Sequence, residues 1–119
     1  MSASDLSGRD LDVAVARAMG WTQACETPGL RADYRNWLEP SGGSVHRLRR
    51  YGTDPATLDE KLVWLSNRIA FAIRYLPDSG RVHVLWWPNG GRDDVISGKD
   101  IHEATARLVV AVKEAMGDG

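Results

Sequence analysis

Residues 70–87 constrain the fold most. Phe71, Ile73 and Tyr75 alternate with Ala72 and Arg74, and Val82, Val84 and Trp86 alternate with Arg81, His83 and Leu85. A period of two is the signature of a β-strand. Between the runs, Pro77-Asp78-Ser79-Gly80 has tight-turn chemistry, because proline presets φ and glycine tolerates a left-handed backbone. The pattern predicts an antiparallel hairpin. Apolar residues occur in both phases of the alternation, which predicts a sheet covered on both faces.

The flanking segments supply helices to cover it. Leu11, Ala14, Val15 and Ala18 recur at helical spacing, with Ser7 placed to cap the start and Gly20 to end the helix. A second helix starts at Asp54-Pro55, an N-cap followed by a proline whose missing N–H is not needed there. Leu58, Leu62, Leu65 and Ile69 line one side of it, with Trp64 near the edge. Asp59, Glu60, Lys61 and Arg68 are expected in water. A third helix runs from about Ile101 to Met116 behind the capping pattern Asp100…Glu103. Its expected stripe is Ile101, Ala104, Leu108, Ala111, Val112 and Ala115. A short third strand fits near Asp94 to Ser97, next to the Pro88-Asn89-Gly90-Gly91 turn. The expected class is therefore α/β in the α+β sense. One domain spans residues 1–119, with a two- to three-stranded antiparallel sheet and helices packed on both faces, an α-β-α sandwich.

Residues 22–52 break both periodicities. Pro28-Gly29, Pro40 and Gly42-Gly43 punctuate the stretch, and only Val45 to Leu48 reads as a short strand. A loop of this length is expected to be functional or packed by its own side chains, here Tyr34, Trp37 and Leu38.

Charge narrows the classes of partner. Fifteen Lys and Arg balance 16 Asp and Glu, for a net charge of −1. Phosphate-driven nucleic-acid binders carry a basic excess, and imitators of DNA carry an acidic one. Cys25 is the single cysteine, so no disulfide can form within the chain. Residues 1–10 lack the basic start and apolar run of a secretion signal, and no apolar stretch reaches membrane-spanning length. The expected location is the cytoplasm.

Several elements resemble a known family. Ser7-Gly8-Arg9-Asp10-Leu11-Asp12, followed by Val15-Ala16-Arg17-Ala18-Met19-Gly20-Trp21, is similar to the opening of the phage ABA sandwich domain. There a short helix runs into a Met-Gly-Trp element. Tyr51-Gly52-Thr53-Asp54-Pro55-Ala56 resembles that family's Tyr-Ser-Thr-Asp element at the start of its second helix. The segment from Asp100 to Met116 stands where the family has its alanine-rich last helix. The resemblance implies the sandwich fold and a phage or prophage origin, hence a host cytoplasm. It implies no activity, cofactor or catalytic residue.

No constellation of residues spells out a reaction. His46, His83 and His102 are scattered, and a structural metal site needs about four clustered ligands, so no metal or cofactor is expected. Glu26 beside Cys25 does not favour a thiolate. Asp93-Asp94 reads as a solvated turn. Asn89-Gly90-Gly91-Arg92 does not lead from a strand into a helix, as a phosphate loop must. The binding candidates are Trp37, Arg47, Arg49, Arg50, Tyr51, Trp87 and Arg92. Arginines with nearby aromatics, upstream Arg31 and Arg35 included, can hold phosphates and stack bases. Trp86 and Trp87 are adjacent on a strand and point to opposite faces. The sequence therefore predicts a non-enzymatic accessory protein that binds a host protein, such as a defence effector, and inhibits it. A small-ligand, nucleotide or nucleic-acid module built on residues 47–51 is the alternative, with nucleic acid disfavoured by the net charge. A homodimer is a further expectation, and membrane association is not expected.

Overall fold

The hairpin forms as its alternation requires. In a computed structural model of the chain, described for residues 6–23, 37–87 and 94–116, strands β4 (Ala70–Leu76) and β5 (Arg81–Trp87) pair antiparallel from Ala70↔Trp87 to Leu76↔Arg81. Gly80 closes the turn at φ +69°, and its N–H donates to the Leu76 carbonyl at 2.9 Å. β6 (Asp94–Gly98) pairs on the far side of β5, giving the order β4-β5-β6.

Preceding these elements are helix α1 (Gly8–Ala18), strands β1 (Thr22–Gln23), β2 (Trp37–Leu38) and β3 (Val45–His46), a 3-10 turn (Pro55–Thr57) and helix α2 (Leu58–Ser66). Helix α3 (Ile101–Ala115) closes the order. The short strands form a second antiparallel sheet, β1-β2-β3. Two residues are too few to show a period, which is why only the neighbourhood of Val45 was legible as a strand. Residues 24–36, with Cys25, Arg31, Tyr34 and Arg35, lie outside the described residues, as do residues 88–93 with Arg92 and Asp93.

The cap behaves as expected at α3, serves the 3-10 turn that leads into α2 rather than α2 itself, and makes no side-chain bond at α1. The Asp54 carboxylate accepts from Ala56 N at 3.0 Å. The Asp100 carboxylate accepts from Glu103 N at 2.9 Å, and Glu103 reaches back to Lys99 N at 3.1 Å. Ser7 stands at the N-cap of α1 without a side-chain bond there. Gly20 ends α1 at φ +99°, and Trp21 then folds onto the core, 6% exposed.

The class is α+β, with a small antiparallel sheet and three helices. The layers, however, are more one-sided than the alternation implies. Helix α3 packs on β5 and β6 with one side and on α1 and α2 with the other. Ala104, Thr105, Ala106, Leu108, Val109, Val110 and Val112 are all buried, so the helix is apolar most of the way round, as a central helix must be. The inner face of the sheet meets it through Val82, Val84, Trp86 and Ile96. Among the described residues no helix covers the opposite face, where Ala70, Ala72, Arg74, Arg81, Trp87 and Val95 are exposed. The middle layer is therefore a helix rather than the sheet.

Candidate functional site

Two places in the fold carry concentrated chemistry: a buried charged node and the open face of the sheet. The node gathers around Lys61, which the helical pattern placed in water. Its side chain is instead fully buried. The ammonium donates to the backbone carbonyls of Tyr51 (2.5 Å) and His102 (2.8 Å). Burial lowers its pKa from 10.5 to about 8, while the charges of Asp100, Asp12 and Glu60 oppose that shift. Tyr51, also fully buried, donates its hydroxyl to Glu60 at 3.0 Å. Burial first, and the Glu60 charge next, push the phenol pKa well above its ordinary value, so it stays a donor. Asp12 accepts from Gly52 N at 2.8 Å and pairs with Arg9 at 3.0 Å, and the Arg9 guanidinium also bonds the Leu48 carbonyl at 3.2 Å. These bonds fasten residues 48–52 to α1, α2 and the start of α3. The ammonium lies inside the fold with two of its three N–H donors engaged by backbone carbonyls, and it ties the 48–52 loop to the start of α3.

This fastening decides what the candidates at 47–51 can do. Trp37 and Tyr51 are both fully buried, so neither offers a ring face for stacking. Arg49 forms an ion pair with Glu60 at 2.7 Å and lies 5.6 Å from the Trp21 ring centroid. Arg47 and Arg50 remain exposed. Arg92 lies outside the described residues. Among the described residues no three His, Cys, Asp or Glu side chains group as metal ligands.

Trp87 belongs to the second place. It is 37% exposed, whereas Trp86 is 3% exposed and points inward. The strand register sets the neighbours of Trp87 on the outer face. Ala70 stands opposite it, and Ala72, Leu85 and Val95 form the next row. Arg74, His83 and Ser97 form the row after that, and Leu76 with Arg81 the last. Rows are about 7 Å apart and strands about 4.8 Å apart. One half of the face is thus apolar, with Val95 48% exposed, and the other half is basic. The face carries no carboxylate at any of these positions, and none of the ion pairs among the described residues involves Arg74 or Arg81. Arg81 leans across to the Ser97 hydroxyl at 3.4 Å. Antiparallel sheets that face water normally alternate to polar residues on that side; an outer phase that includes Ala, Ala, Leu, Trp and Val departs from this. Sequence reasoning found Trp87 but missed Ala70, Ala72, Arg74, Arg81, His83, Leu85 and Val95. The signal was present, because a turn at residues 77–80 fixes which residues stand opposite one another.

No helix among the described residues is long and apolar enough to cross a membrane. No family model matches the chain, and neither a curated protein nor a solved structure matches it.

Proposed function

We propose that this protein acts by binding a protein partner through the outer face of the β4-β5-β6 sheet, without catalysing a reaction. The observation that supports this most is the uncovered face itself, apolar at the Trp87 end and basic at the Arg74–Arg81 end. Its flat aliphatic half excludes water from a contact, and tryptophan and arginine are the residues that most often anchor such contacts. The basic half selects a partner whose surface is acidic beside an apolar patch, since like charges there would be repelled. The resemblance to phage ABA sandwich domains supports the finer reading. In it the protein is a phage-encoded accessory factor in the host cytoplasm, and the partner is a host protein, such as a defence effector, that it inhibits.

Affinity capture from host lysate with surface variants tests the reading. Val95→Glu and Arg74→Glu alter the two halves of the face at exposed positions, while Arg50→Glu alters the exposed arginine loop. A partner retained by the wild type and by Arg50→Glu, but lost from both face variants, supports the proposal. A partner lost only from Arg50→Glu, or no specific partner at all, overturns it.

A further inference from the structure

We infer that β4 pairs edge to edge and antiparallel with β4 of a second copy, forming a two-fold dimer with a continuous six-stranded sheet. The strand order leaves β4 at an edge. All seven of its residues are in unbroken register with β5, so no bulge distorts it. It contains no proline, and Arg74 is its one charged residue. Natural monomers blunt such edges with short strands, charges, prolines, bulges or a covering element. Asp94–Gly98, the opposite edge, is shorter and begins on a charge.

The side chains of β4 support the same occupant. Tyr75 is in phase with Phe71 and Ile73, on the face that packs inward, yet it is 64% exposed. Helix α3 lies over β5 and β6, and α2 comes against β4, leaving the Tyr75 end uncovered. Only one antiparallel self-pairing engages the whole strand, the one centred on Ile73. It sets Phe71 opposite Tyr75 of the second copy, Ala70 opposite Leu76, and Ala72 opposite Arg74. The exposed tyrosine thereby gains an aromatic cross-strand neighbour, of the kind that stabilises sheets, and no two like charges stand directly opposite one another. The contact is isologous and closes on itself. Both outer faces remain free in this dimer, so the inference stands or falls separately from the proposed binding role.

Light scattering and sedimentation over a concentration series, on the full chain, test the inference. The wild type is expected to approach twice the 13.1 kDa chain mass. Ala72→Lys sets a cation opposite Arg74 of the second copy, at two equivalent places, and is expected to weaken the dimer by roughly tenfold or more. Ala72→Glu sets a carboxylate opposite the same arginine and is expected to keep or tighten it. Circular dichroism on both variants checks that the exposed position tolerates the change. A monomer at every concentration overturns the inference, as does a dimer that the two substitutions affect equally or not at all.

Discussion

Replacing Gly98 by alanine tests how closely β6 and α3 are packed. A Cβ at this position would lie 2.5 Å from Ala104 N, 2.9 Å from Ala104 Cα and 3.0 Å from the Glu103 carbonyl carbon. Non-bonded heavy atoms settle at roughly 3.5 Å, so the closest pair must separate by about 1 Å. All three atoms are backbone, and no rotamer change relieves the clash. The helix start is also held in place. Asp100 and Glu103 cap it, and the Arg107 guanidinium bonds the Ser97 carbonyl at 2.9 Å and Glu103 at 3.3 Å. Behind it, Ala104, Leu108 and Val112 are fully buried, so retreat of α3 disturbs the whole core. Overpacking costs about 1–3 kcal/mol, and a clash with fixed backbone belongs at the upper end. For a chain of this size, that loss lowers Tm by about 10 °C. Thermal unfolding followed by circular dichroism reads it directly. A Gly98→Ala protein melting within about 2 °C of the wild type would refute the close approach of strand and helix.

Other substitutions probe the buried polar groups. Asp12→Ala leaves Gly52 N–H buried without its acceptor and should cost about 2 kcal/mol in urea unfolding; Asp12→Asn, which can still accept that bond, should cost less, and equal losses would contradict the assignment. Lys61 titrates near 8 in the fold and at 10.5 when free, so the unfolded chain takes up its proton first. Its contribution to stability therefore falls as pH is lowered from about 10.5 to about 8 and levels off below, a difference of roughly 3 kcal/mol. Urea midpoints across that window should show the slope in the wild type and lose it in Lys61→Met; an identical slope in both would refute it. Trp86 Nε1 is buried without a hydrogen-bond partner among the described residues. Trp86→Phe removes that unsatisfied N–H along with some ring area, so the two effects offset and the net change should stay within about 1 kcal/mol. A loss of 3 kcal/mol or more would mean that the indole N–H is paired.

Local chemistry was legible in the sequence, and layer order was not. The caps at Asp54 and Asp100, the turn at residues 77–80 and the opposite facing of Trp86 and Trp87 depend on neighbours a few residues apart, and all are found. Lys61 escaped because its partners, the carbonyls of Tyr51 and His102, come from a loop and from another helix, and a lysine on α2 reads as solvated without them. The central position of α3 was hidden in a similar way. Its main stripe reads as one-sided, and the extra burial of Ala106, Val109 and Val110 follows only from α1 and α2 packing behind it. Trp37, Arg49 and Tyr51 looked like a stacking and phosphate-binding cluster, because composition records which residues are close in sequence and not which way the rings turn. The outer face was half legible. Its register follows from the turn, but its exposure depends on where the helices go.

Site-specific photo-crosslinking tests the central claim most directly, with a photoreactive residue placed at position 87 in one protein and at position 50 in another. A covalent adduct with a protein partner is expected from position 87 and none from position 50. An adduct formed from position 50 alone would contradict the claim.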